Sequence, residues 1–170
     1  MHRTLVNKPA AGTALSASST ETVLQTGTLK AGTLLAGKRL RISAKVRATA
    51  TNAADTLTVR VRMGSVTLTG TALCTTAATD AANDDVIGVD VDLVVRSVAY
   101  HGTAATVSVV ASGSLSGIAA EAVGTLRTVH EIKTDYDGAV DLFVEVTGQW
   151  SSANAGNSCQ SEHFTIEELV

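Results

Sequence analysis

The sequence predicts an all-β chain folded as one two-layered antiparallel sandwich. Three observations carry that reading. Apolar residues recur with a period of two through most of the chain, as half-buried strands require. The runs that show it are short and separated by turn-forming clusters. No segment sustains a helical period: Ile118–Leu126 comes nearest, and it is short and broken by glycine.

Residues 1–19 stand apart. They hold the single proline, Pro9, two early cations, Arg3 and Lys8, and a run of small residues without apolar periodicity. They read as an N-terminal arm, either a disordered tail or an extended segment that orders on a partner. Residues 20–170 read as the domain. Its clearest strand is Arg39–Ala48, where Leu40, Ile42, Ala44, Val46 and Ala48 point one way and Arg39, Arg41, Ser43, Lys45 and Arg47 the other. Leu57–Met63, Val89–Arg96, Ala105–Ala111, Val140–Thr147 and Phe164–Glu167 alternate in the same manner. Weaker candidates are Thr20–Leu29, Val66–Leu68 and Thr125–Lys133. Asn52–Asp55, Met63–Ser65 and Asp137–Gly138 are turn signals, the last supplying the positive φ of a tight hairpin. Two stretches rich in Ala, Gly, Ser and Thr, Thr69–Asp85 and Ser112–Gly124, read as long connections. Large excursions between strands fit a Greek-key or jelly-roll path better than a meander. The expectation is a single jelly-roll-like antiparallel β-sandwich of about eight strands with an extended N-terminal arm.

Composition narrows function. The chain has 170 residues, 45% hydrophobic but only 3% aromatic, so the core is aliphatic. A net charge of -3 argues against nucleic acid as partner, since displacing counterions from phosphates needs a basic face. Five scattered rings make a poor stacking platform for bases, and a sugar site would have to draw on Trp150, Tyr100 or Tyr136. No window reaches the ~18 apolar residues of a membrane helix, and no membrane partner is expected. The first nine residues lack the apolar run of a secretory signal.

No constellation rises to a catalytic or metal site, so neither an enzyme nor a cofactor is expected. Asp135, Asp137 and Asp141 have calcium-like spacing, but Gly138 is misplaced and no glutamate closes a loop. A hairpin turn explains them better. Asp80, Asp84 and Asp85 read as solvated loop charge. His2, His101, His130 and His163 lack metal-ligand spacing to one another or to a cysteine, and Cys74 and Cys159 read as free thiols. Leu115 occupies the position a nucleophile-elbow serine needs in Gly113–Gly117. Asp90 and Asp92 share a strand face and call for cations on a neighbouring strand, either the Arg39/Arg41/Lys45/Arg47 row or Arg60 and Arg62. The other reading leaves one row unpaired to dock on an acidic partner. Val94 and Val98 are expected outward beside Asp90 and Asp92, and Val110 outward on its own strand, which implies a cover from a loop or another subunit.

The stretch Thr147-Gly148-Gln149-Trp150-Ser151-Ser152-Ala153-Asn154-Ala155-Gly156-Asn157-Ser158-Cys159-Gln160, with His163–Glu167 after it, resembles a family of small jelly-roll virion proteins of tailed bacteriophages. Ser19–Leu24, Leu29–Gly32, the basic strand from Arg39 and Asn52–Met63 fit the same pattern. The resemblance covers roughly residues 19–169 by motif order and leaves the arm out. It implies a structural virion protein, foremost a capsid decoration or cement protein that binds the outer surface of the head as a homotrimer. The partner would be the major capsid protein, and assembly would take place in the host cytoplasm. A tail or fibre component that binds a host surface is the alternative. Arg3, Lys8, Arg39, Arg41, Lys45, Arg47, Val94, Val98 and Val110 are the candidate interface residues.

Overall fold

The computed structural model describes residues 2–52, 54–76, 78–81, 84–101, 104–119, 122–123 and 129–170. Of these, residues 79, 100, 101, 104, 105, 115–119, 122, 123 and 129–135 are described by their backbone alone. The chain runs β1 (His2–Lys8), β2 (Ala14–Ser16), β3 (Thr22–Leu29), β4 (Arg39–Thr49), β5 (Thr56–Gly64), β6 (Thr71–Thr75), β7 (Thr79–Asp80), β8 (Asp85–His101), β9 (Ala104–Ala119), β10 (Ala122–Val123), β11 (Val129–Asp137), β12 (Leu142–Trp150) and β13 (Ser158–Leu169).

The strand order is that of a jelly roll. The larger sheet runs β1-β13-β4-β8-β9-β10, with β2 also on β13 and β11 on β9, and the smaller runs β3-β12-β5-β6, with β7 also on β5. Taking β1 with β2 and β6 with β7 as interrupted strands leaves eight positions outside the β9–β11 insertion. First then pairs with last (β1 and β2 on β13), second with seventh (β3 on β12), third with sixth (β4 on β8) and fourth with fifth (β5 on β6), all antiparallel. That is the path of a long hairpin ribbon rolled into two packed sheets. β9, β10 and β11 extend the larger sheet beyond β8.

Period-two patterning places the core between the sheets. Leu40, Ile42, Ala44, Val46 and Ala48 of β4 are buried, as are Leu57, Val59, Val61 and Met63 of β5. Val89, Val91, Leu93 and Val95 of β8 join Val107, Val109 and Ala111 of β9. The scarce rings add bulk at single points: Phe164 and Trp150 are the largest fully buried side chains. Gly113 of β9 marks a close approach between the layers, since a Cβ there would lie 2.6 Å from the Cys74 Sγ.

The arm is extended, but it is seated on its own domain. β1 pairs with β13 from His2↔Leu169 to Lys8↔Phe164, and β2 pairs with Ser158–Gln160 of the same strand. Leu5 and Val6 pack on the core edge, and Leu15 is buried within it. Between the two strands the Gly12 amide donates to the Ser161 carbonyl in the larger sheet, and the Thr13 amide to the Leu24 carbonyl in the smaller. The arm therefore straps the sheets together along one edge.

Three other expectations change. Ser112–Gly124 is not a long connection: β9 continues to Ala119 and β10 follows it. Its small residues hid a strand that lies between β8 and β11 up to Gly113, the very position where bulk would strike Cys74. Thr69–Asp85 likewise contains β6 and β7, whereas Val66–Leu68 is turn. Residues 124–128, part of the Thr125–Lys133 candidate, lie outside the described residues, and Val129–Lys133 begins β11.

Candidate functional site: the outer faces of the two sheets

The basic row lies on the solvent side of β4, flanked by β8 and β13. Arg41 stands opposite Asp92 on one side and Glu167 on the other, and Ser43 stands opposite Asp90. Arg41 Nε donates to Asp92 Oδ1 at 3.1 Å, Ser43 Oγ donates to Asp90 Oδ1 at 2.6 Å, and Arg47 pairs with Glu162 at 3.1 Å. The Asp92 hydrogen bond, then its charge, holds the Arg41 pKa above its ordinary value. Glu162 reaches Arg47 from a register shift between Ser161 and His163, which places it as the extra residue of a bulge. Exposed pairs of this kind are worth about 0–1 kcal/mol each, so the row joins three strands without dominating stability. The cross-sheet pairing expected of Asp90 and Asp92 is thus met by β4. Arg60 and Arg62, the other partners considered, lie on the smaller sheet.

The remaining candidate residues separate. Arg39 and Lys45 are exposed and stand opposite Val94 and Gly88 instead of carboxylates on β8. Arg3 lies 4.0 Å from Glu168, which also holds Lys38 at 3.1 Å, and Lys8 is exposed at the far end of β1. Val94 and Val110 are half-buried neighbours across β8 and β9, with Ile132 of β11 next in register. Val98 does not share their face. A register shift between Val95 and Ser97 reverses the alternation, and Val98 packs against the core opposite Val107.

The smaller sheet carries a denser polar cluster on its outer side. Glu21, just before β3, accepts from Arg62 Nε at 2.7 Å and Arg62 Nη2 at 2.9 Å, and from the Thr147 hydroxyl at 2.5 Å. Arg60 lies 3.5 Å from the same carboxylate and donates to Gln149 Oε1 at 3.0 Å. Burial pushes the Glu21 pKa up, but hydrogen bonds from Arg62 and Thr147 and the charges of Arg60 and Arg62 outweigh it and hold it below 4.5. Glu145, 2% exposed, accepts the Leu68 amide at 2.8 Å. That bond fixes the Ser65–Gly70 turn, in which Leu68 adopts a left-handed φ of +63°. Further along this face a shallow groove of about 320 Å³ is lined by Ser19, Thr56, Thr58, Ala78, Gln149, Trp150 and Ser151. The Trp150 side chain is buried beneath it, and Tyr136 is buried too, so neither offers a stacking ring to a sugar. The Tyr100 side chain lies outside the described residues.

The acidic turns serve the fold. Asp141 accepts from Lys30 Nζ at 2.8 Å and the Ala31 amide at 2.9 Å, and Asp137 accepts the Ala139 amide at 2.8 Å. Asp141 thus faces a lysine, and the side chain of Asp135 lies outside the described residues. Asp80, which ends β7, and Asp84 are exposed, whereas Asp85, which opens β8, is buried. Asp55, 5% exposed, accepts from Ser152 Oγ at 2.6 Å and Asn157 Nδ2 at 3.0 Å, tying the β4–β5 turn to the β12–β13 connection. Those bonds, Ser152 first, hold its pKa below 3.8. Both cysteines are buried free thiols, and burial pushes Cys159 up to about 12. Among the described residues no group of three or more His, Cys, Asp or Glu side chains is placed to hold a metal. The side chains of His101 and His130 lie outside the described residues.

Sequence reasoning missed Glu21, Glu145 and Asp55. Their common signal is a carboxylate in or beside a strand, and it gives no hint of which distant cation or amide it meets.

No family model and no curated protein matches the chain. Among solved structures, the CBM2 module of the evolved Dit of Lactobacillus casei BL23 phage J-1 is similar at 16% identity and a TM-score of 0.36, over 84% of this chain and 67% of that one. A structure of the infectious bursal disease virus Gx strain is similar at 14% identity and a TM-score of 0.37, over 100% of this chain and 42% of that one. Likeness at this level carries no functional argument; the jelly-roll assignment stands on strand order.

Proposed function

We propose that this chain is a structural virion protein that decorates a bacteriophage capsid, binding the outer surface of the head as a homotrimer through the major capsid protein. One observation supports the reading above others. Among the described residues the polar clusters on the two outer faces are largely paired within each face, and the groove beside the cluster on the smaller sheet is shallow. Exposed aliphatic side chains, by contrast, gather at one end of the sandwich. Leu35, Val66, Leu68 and Val140 are all exposed. Their turns are held together there by the Gly32 amide on the Gly138 carbonyl, Lys30 on Asp141, and Leu68 on Glu145 of β12. A protein whose work is adhesion needs a rigid body and such a contact end, and the jelly roll supplies the body. The resemblance of residues 19–169 to phage virion proteins supplies the particle.

Arg41 and Arg47 already face carboxylates, so Arg39 and Lys45 are the cations of the row left to steer docking. Purified protein is expected to co-sediment with undecorated capsids, with affinity falling as salt rises. Neutralising Arg39 and Lys45 together should weaken binding more than neutralising Arg41 and Arg47. Absence of co-sedimentation at saturating protein overturns the decoration reading, and a handful of copies per particle moves the protein to the tail. A native mass of one chain at micromolar concentration removes the trimer.

A further inference from the structure

The first sixteen residues meet the rest of the chain along one line. Among the described residues β1 and β2 pair with β13 and with no other strand. The arm's other contacts fall along the edge between β13 and β3: Val6 and Phe164 both lie against Gly27, the Gln160 side-chain amide donates to the Gly12 carbonyl at 2.7 Å, Gln25 donates to the Ala10 carbonyl at 3.1 Å, and the Thr13 amide donates to the Leu24 carbonyl. The link back to β3 is short and solvent-facing, with Ser16, Ala17, Ser19 and Thr20 exposed. Ala17 sits there at a φ of +48°, a left-handed conformation that an alanine adopts only under constraint. Glu21 pins the far side of that link to Arg62.

We propose that residues 1–16 are an exchangeable arm, and that the seam along β13 accepts the same arm from a second copy of this chain. Every contact of residues 1–16 made within one chain is then remade between two, so the forms differ in contact energy only at the hinge, where the Ala17 amide is held on the Asn157 carbonyl at 3.0 Å. Opening the hinge lets Ala17 leave the left-handed region, and extended residues 16–21 span about 17 Å between neighbours. Against that stands the higher effective concentration of a chain's own arm. Exchange is therefore favoured where copies are held close together. This inference concerns contacts between copies and holds whether or not the protein decorates a capsid.

Asn7 stands opposite Thr165 in the β1–β13 register, Asn7 exposed and Thr165 half-buried on the outer side. One preparation carries Asn7→Cys and a second Thr165→Cys; neither can bridge this register within a single chain. The two are mixed at high concentration, treated with a short thiol cross-linker and separated under denaturing conditions. A covalent heterodimer is expected, well above the yield from Asn7→Cys mixed with Ser114→Cys, which is exposed on β9 away from the seam. Adding Ala17→Gly to both chains closes the hinge without strain and should lower the yield about fivefold. A yield no better than the Ser114→Cys control overturns the proposal, as does indifference to Ala17→Gly. The double variant Asn7→Cys/Thr165→Cys should cross-link internally at low concentration. If it does not, the register on which exchange depends is wrong.

Discussion

Replacing Glu21 with alanine tests whether the cluster on the smaller sheet holds the domain together. The carboxylate receives two Arg62 hydrogen bonds and one from Thr147, with Arg60 at 3.5 Å. The side chains of Glu21, Arg60 and Arg62 are 20%, 20% and 19% exposed, so water replaces the lost partner only in part. Hydrogen bonds to charged groups contribute about 1.5–3 kcal/mol each, and partial exposure and shared geometry bring the expected loss to about 2–3 kcal/mol in all. In a domain of this size that lowers Tm by about 5–10 °C. Urea unfolding at neutral pH, with Arg62→Ala and the double variant completing a cycle, should return a coupling of at least ~1 kcal/mol. The pH dependence has a fixed sign. A carboxylate whose folded pKa is depressed below 4.5 stabilises fully above that value and loses its contribution as pH falls through the folded pKa. The gap between parent and Glu21→Ala should therefore narrow on acidification below pH 4.5. A gap under ~0.5 kcal/mol at neutral pH, or one that does not change in acid, refutes the reasoning.

Two further predictions concern the space between the layers. Gly113→Ala places a Cβ 2.6 Å from the Cys74 Sγ and should cost about 1–3 kcal/mol in thermal or urea unfolding. Combined with Cys74→Ala, the two losses should fall short of their sum, and strict additivity would show that the contact does not limit packing. Cys159, with its thiol pushed up to about 12, and Cys74, raised by burial, should resist a disulfide reagent at mildly alkaline pH until urea unfolds the chain. Prompt labelling of the native protein would mean that the core opens locally.

Strand alternation was readable from residue order because its cause is local. Leu40 to Ala48 and Leu57 to Met63 turn one face to oil and one to water whatever lies beside them, so their burial follows from the sequence. The same logic failed where one residue breaks the period. A single extra residue near Arg96 sent Val98 to the core, and no property of Arg96 announces it. It failed again where small residues carry no pattern, as in the second half of β9. The basic row was visible at once, yet its chemistry depended on which strands lie beside β4.

Local periodicity therefore settled the class of fold, the aliphatic core and the outward cations. Strand order decided the rest. It paired Arg41, Ser43 and Arg47 with Asp92, Asp90 and Glu162 and left Arg39 and Lys45 facing water, sent Arg60 and Arg62 to Glu21 on the other layer, and folded the arm back onto β13. Each of these joins residues far apart in the chain. The side-chain period tells a strand which face to bury but not which neighbour to choose, and that choice belongs to the packing of the whole.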